Sequence, residues 1–112
     1  MLHTASFWHK TDLPRYSIAI SQPRGVCLAK VSVMAPPKAV FIGLKEATLD
    51  WNQYTVGYLK HLDENEVDVI AILDKLQDDA VLCCWERDPA KCHRSLLARW
   101  LREHGIDCEE LQ

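Results

Sequence analysis

Long apolar runs are missing from this chain. No stretch approaches the roughly 20 consecutive apolar residues of a membrane-spanning helix, and the first residues lack the charged-then-apolar pattern of a secretory signal. These absences predict a cytoplasmic protein with no membrane partner. Excess basic charge is missing as well: 13 Lys and Arg face 16 Asp and Glu, a formal net charge of -3, which argues against wrapping long nucleic acid through bulk electrostatics. The five cysteines, an odd number, show no framework spacing and are expected as free thiols in a reducing compartment. The paired Cys and His spacings of zinc sites are absent too. A metal would have to draw on Cys84, Glu86, Cys92, His93 and Cys108, and neither a metal nor a cofactor is expected. There is no internal repeat and no low-complexity tract.

What is present is ordinary globular composition, 48% hydrophobic and 26% charged over 112 residues, enough for one domain over residues 1–112 and too short for two. Leu2 to Trp8 reads as a strand or ordered arm, Ser17 to Ser21 as a strand through Ile18 and Ile20, Gln22 to Gly25 as a turn, and Val26 to Val33 as an extended stretch. Ala39 to Ile42, closed by Gly43, suits a buried strand or packed loop. From Asp50, a candidate N-cap, the period changes: Trp51, Tyr54, Tyr58 and Leu62 share a helical face. A second helix is expected over Glu66 to Gln77, with Val67, Ile70, Leu73 and Leu76 as its apolar stripe. Ala80 to Glu86 reads as a central strand covered on both faces. Leu96, Leu97, Trp100 and Leu101, with Gly105 as C-cap, place a helix over about Cys92 to His104. The order predicts an α/β fold: a mostly parallel or mixed sheet with flanking helices.

The chemistry concentrates where the last strand meets the last helix. Cys92-His93-Arg94 would sit in the first helical turn, where the positive end of the helix dipole and a neighbouring cation favour thiolate over thiol. Beyond the carboxyl ends of parallel strands is also where α/β proteins collect ligands. Cys83 and Cys84 should point to opposite faces of the strand, with one of them packed in the core. A thiolate and an arginine under a helix N-terminus follow the logic of cysteine phosphatases and sulfurtransferases, but only His93 separates Cys92 from Arg94, which argues against the phosphatase cradle. Most of the aromatics read as core. Arg24, in its Pro-Arg-Gly turn, could meet an anion from a second loop.

Leu82-Cys83-Cys84-Trp85-Glu86 followed by Cys92-His93-Arg94-Ser95-Leu96-Leu97-Ala98 resembles the signature of the family catalogued as domain of unknown function 488, with its Cys-x-Glu strand end and Cys-His-Arg helix start. Thr4 to Trp8, Ser17 to Ser21 and Pro23-Arg24-Gly25 resemble its shorter members. The resemblance maps the family pattern onto Cys84, Glu86, Cys92, His93 and Arg94, and more weakly onto Ser6 and Arg24. It implies an α/β fold and no agreed activity. The Asp-x-Arg segment of longer members is absent from this chain.

Together these readings lead to an expected α/β protein that binds an anionic small molecule, a nucleotide or nucleoside derivative, with cysteine-dependent chemistry. Cys92 would be nucleophile or redox thiol, His93 proton carrier, Glu86 acid/base or orienting carboxylate, and Arg94 with the helix N-terminus the anion anchor. Cys84, Arg24 and Ser6 complete the expected ligand-binding set. The alternative is a non-catalytic binding or regulatory protein with a protein or nucleic-acid partner. Its Cys-His-Arg segment holds the loop together, and Arg94 pairs with Glu86.

Overall fold

In a computed structural model, which describes residues 1–76 and 78–111, five short strands form one sheet in the order β3-β2-β4-β1-β5, every pairing parallel. The strands are β1 (Leu2–Ser6), β2 (Arg15–Ser17), β3 (Ala29–Lys30), β4 (Val81–Cys84) and β5 (Cys108–Glu110), and the helices are α1 (Lys38–Lys45), α2 (Trp51–Glu64), α3 (Glu66–Leu73) and α4 (His93–Glu103). The fold is α/β. Parallel strands need crossover connections; α1, α2 and α3 make the one between β3 and β4 and α4 the one between β4 and β5, while the links from β1 to β2 and from β2 to β3 carry no helix. All four residues of β4 are buried, as the continuous apolar run requires of a central strand. No helix among the described residues is long and apolar enough to cross a membrane.

Helix α2 starts where Asp50 predicts. Its carboxylate accepts from the Gln53 backbone N–H at 2.8 Å while the Gln53 side chain accepts from the Asp50 N–H at 2.9 Å, a reciprocal capping box. Tyr54, Tyr58 and Leu62 form its buried face. Replacing Asp50 with Ala is expected to lower stability by about 1 kcal/mol, read as a drop in thermal midpoint. Helix α4 buries Leu96, Leu97, Ala98, Trp100 and Leu101, and packs on β1, β4 and β5. It ends at Glu103, with His104 as its C-cap, and the next residue, Gly105, has a φ of 77°, the left-handed conformation that glycine adopts without penalty.

Four expectations about elements change. Ala39 to Ile42 belongs to helix α1, because a four-residue apolar run carries no period that separates strand from helix, and Pro37 supplies a φ of -55° at the helix entrance. Gly43 lies inside that helix: Leu49 folds back so closely that a Cβ at Gly43 would lie 2.7 Å from its side chain. The second strand ends at Ser17; Ile18, fully buried, still donates its N–H to the Cys83 carbonyl at 3.0 Å, while its own carbonyl turns out of the ladder. Of Val26 to Val33 only Ala29–Lys30 pairs, and Ser32–Met34 forms a 3-10 turn. On α3 the buried residues are Val69 and Leu73 while Val67 is exposed. A strict spacing of three rotates about 60° per step against a period of 3.6 residues, so that stripe drifts off the buried face. Helix α3 stops at Leu73, and the expected end at Gln77 lies outside the described residues.

Candidate functional site

At the carboxyl edge of the sheet, β4 ends in Cys84 and the loop 85–91 leads to Cys92, the N-cap residue of α4. Alternation along β4 sends Cys84 to the loop side, where it lines a cavity. Cys83, facing the other way, does not line it, and its sulfur contacts the Val81 carbonyl at 3.8 Å. Cys84, Cys92 and His93 then meet, all three buried, with their ligand-type atoms within 4.8 Å of one another. Cys84 Sγ lies 3.4 Å and Cys92 Sγ 3.9 Å from His93 Nδ1.

The imidazole is oriented from its far side. His93 Nε2 lies 2.7 Å from the Ile18 carbonyl oxygen, and a carbonyl only accepts, so Nε2 carries a proton and Nδ1 faces the two thiols. The Tyr58 ring and the imidazole pack edge to face, centroids 5.2 Å apart, and the Tyr58 hydroxyl donates to the Met34 carbonyl at 2.6 Å. The early end of β2 therefore matters to the chemistry: the Ile18 carbonyl, turned out of the ladder, is free for His93.

Electrostatics separate the two thiols. Cys92 is held well below the ordinary thiol range, first by a hydrogen bond from the Cys84 thiol, against the opposing cost of burial, and then by His93 and the Arg94 backbone N–H. Cys84 is pushed up by the same hydrogen bond and by burial. One proton is thus kept on Cys84 while Cys92, beneath the open end of α4, carries the charge. Burial pushes Cys83 up to about 11 and Cys108 up to about 12, as expected of core thiols.

The cavity beside the trio has a volume of about 460 Å³. Phe41, Leu44 and Lys45 of α1, Trp51 and Tyr54 of α2, Ile20, Trp85, Glu86 and Lys91 wall it, together with Cys84, Cys92 and His93. In a strand continued to Glu86, alternation would turn Trp85 away from Cys84 and Glu86, but β4 ends at Cys84, alternation stops there, and all three line the cavity. The Trp85 indole N–H donates to the Ser21 carbonyl at 2.8 Å. Tyr54, stacked on Trp51 at 5.1 Å, has its hydroxyl pushed far up by burial and then by the nearby cysteines, so it stays protonated and can donate.

Arg94 is placed otherwise than the sequence suggested. Its side chain is fully buried and does not line the cavity. Its Nε donates to Glu110 Oε1 at 2.9 Å, Nη2 to Glu110 Oε2 at 3.0 Å and to the Arg87 carbonyl at 3.2 Å, and Nη1 to the Glu86 carbonyl. These donors are engaged by protein, so Arg94 is no anion anchor. Nor does it pair with the Glu86 carboxylate: its ionic partner is Glu110, which also accepts from the Thr4 hydroxyl at 2.7 Å. Glu86 is exposed at the cavity wall. Arg24, exposed in its turn, and Ser6, buried at the end of β1 with its hydroxyl accepting from the Trp8 N–H at 3.3 Å, do not line the cavity. The structure therefore brings Cys84, Glu86, Cys92 and His93 to the cavity; Arg94, whose charge still acts on Cys92 from behind, Arg24 and Ser6 do not line it.

Sequence reasoning left out of the site Tyr54, Lys45 and the Ile18 carbonyl. Tyr54 sits on an α2 stripe that reads simply as core, Lys45 follows a segment read as a strand, and a backbone carbonyl leaves no mark in a sequence. For a metal, the three ligand-type atoms are Cys84 Sγ, Cys92 Sγ and His93 Nδ1; the eight-residue separation of the cysteines hides them from spacing rules.

A family model described as the active DUF488-N3 subclade, DUF488-N3a, matches residues 8–105. No curated protein and no solved structure matches.

Proposed function

The chain belongs to the DUF488 family, in its N3 subclade, and from that premise we propose that it is a small cytoplasmic protein that binds an anionic nucleotide or nucleoside derivative in the cavity and acts on it with the Cys92 thiolate. The observation that carries this reading is the buried Cys84–Cys92–His93 trio lining a 460 Å³ cavity. A nucleophile next to a base that is itself oriented by a third group is the general pattern of covalent catalysis; here the third group is the Ile18 carbonyl on His93 Nε2.

Each wall has a role in this reading. Trp51 and Trp85 offer aromatic faces for a base, a contact of about 1–3 kcal/mol. Lys45 and Lys91, which line the cavity, take over the anion-anchoring role first given to Arg94. Glu86, at the opening, orients the ligand or exchanges a proton with it.

The test is alkylation of all five cysteines by iodoacetamide across pH, read by peptide mass spectrometry, with and without a panel of nucleoside monophosphates. Cys92 is expected to react fastest and to keep reacting well below the ordinary thiol pKa of about 8.5, its rate falling only on stronger acidification as the thiolate is protonated. A bound nucleotide should slow that reaction. Should Cys92 react no faster than core Cys83, the nucleophile is wrong; should no nucleotide protect it, the ligand class is wrong.

A further inference from the structure

The proposed chemistry uses Cys92 and leaves the second thiol in the trio without a role. Cys84 Sγ lies within 4.8 Å of Cys92 Sγ, and both sulfurs line the cavity, where a small oxidant reaches them. Each is also in reach of the same imidazole nitrogen. We propose that Cys92 is an oxidation site for hydroperoxides and that Cys84 is its resolving thiol, the two closing into a reversible disulfide. This rests on the reading of Cys92 as an accessible thiolate.

The steps balance with a hydroperoxide as oxidant. The Cys92 thiolate attacks one peroxide oxygen, the O–O bond breaks, and the departing alkoxide or hydroxide takes from His93 Nδ1 the proton that Cys92 gave up, leaving Cys92 as a neutral sulfenic acid and Nδ1 free to accept another proton. Cys84 then gives its proton to His93 Nδ1, 3.4 Å away, and its sulfur attacks the sulfenic sulfur. An S–S bond forms, the S–O bond breaks, and hydroxide leaves with the proton held by His93 as water. The two thiols are oxidised by two electrons and the peroxide is reduced to an alcohol, or to water, plus a second water. A small thiol reductant reverses the step by exchange.

The order of events follows from the same electrostatics. While Cys92 is an anion, Cys84 keeps its proton, because its thiol donates to that anion and is buried. Once Cys92 is a neutral sulfenic acid the anion is gone, and the thiol next to His93 becomes free to ionise. A disulfide needs sulfurs about 2 Å apart, so the gap must close. Cys84 is fixed in the central strand, whereas Cys92 precedes the first turn of α4 at the end of an exposed loop, and the approach falls to its side. Cys83, on the opposite face of β4, is no competitor.

Reduced full-length protein is treated with equimolar hydrogen peroxide, quenched with N-ethylmaleimide, digested and analysed by mass spectrometry. The expected result is a Cys84–Cys92 linked peptide, lighter by two hydrogens and lost on adding dithiothreitol. In Cys84→Ser the link vanishes and dimedone traps a sulfenic acid on Cys92; in Cys92→Ser neither product forms. Over-oxidation of Cys92 in the wild type without a link overturns the proposal, as does a link to any other cysteine. If Cys92 alkylates readily at acid pH yet never links, the inference fails and the proposed function stands. If it resists both reagents, both fail.

Discussion

Replacing Arg94 with Met is expected to lower the unfolding free energy by about 3 kcal/mol. The guanidinium is completely buried against a Glu110 carboxylate whose side chain is 26% exposed. Removing one partner of a buried pair costs about 3–5 kcal/mol, because the other charge is left unpaired. The partial exposure of Glu110 lets water reach its carboxylate, which puts the expectation at the lower end of that range. The Glu86 and Arg87 carbonyls lose their donors as well. In a domain whose whole stability is about 5–15 kcal/mol, the loss should appear plainly in chemical denaturation.

Pairing the change with Glu110→Gln separates charge from packing. If an unpaired carboxylate dominates the loss, Arg94→Met with Glu110→Gln should be more stable than Arg94→Met alone, whereas independent effects would simply add. An unchanged denaturation midpoint in the single variant would mean that the Arg94–Glu110 contact does not persist in solution. The expected result also redistributes the roles within Cys-His-Arg. Cys92 and His93 face the cavity, whereas Arg94 ties the loop carbonyls of Glu86 and Arg87 to the C-terminal strand, which is the structural part that the non-catalytic alternative gave to the segment.

Much of this was legible in the sequence wherever a pattern was local and long. Fourteen residues of α2 and eleven of α4 repeat often enough for the helical period to declare itself, and β4 is apolar enough to identify as central. The site's location was legible for the same reason, since a strand end and a helix start flank Cys84 and Cys92. Short segments were not. Ala39 to Ile42 has no period, and whether it is strand or helix depends on Pro37 and on Leu49 folding onto Gly43. The partner of Arg94 was illegible because β5 is only three residues long, and nothing local announces that Glu110 returns to the sheet beside β1. Glu86 was the nearest carboxylate in sequence; register, not proximity along the chain, decided the pairing.

The relay itself has a sharper signature than the presence of a reactive thiol. Cys84→Ala should move the midpoint of Cys92 alkylation up towards that of an ordinary thiol, about 8.5, while Cys84→Ser leaves it low. The largest influence holding Cys92 down is the hydrogen bond from Cys84; alanine removes that donor, whereas a serine hydroxyl replaces it. His93→Gln should raise the midpoint as well, because an amide cannot take a thiol proton as Nδ1 does. At about pH 6 a thiol with a pKa near 8.5 is less than about 1% ionised, so the alkylation rate of Cys92 in Cys84→Ala or His93→Gln should fall about 10-fold to 100-fold. The upper part of that range is trimmed because a more basic thiolate is also the better nucleophile. Above about pH 9 the variants should match or exceed the wild type, since there every thiolate is present and basicity alone sets the rate. That crossing of rates distinguishes a lost proton relay from a distorted site, which would slow Cys92 at every pH. If Cys84→Ser slows Cys92 as much as Cys84→Ala does, the hydrogen bond is not the cause, and the imidazole and helix terminus alone must hold the thiolate.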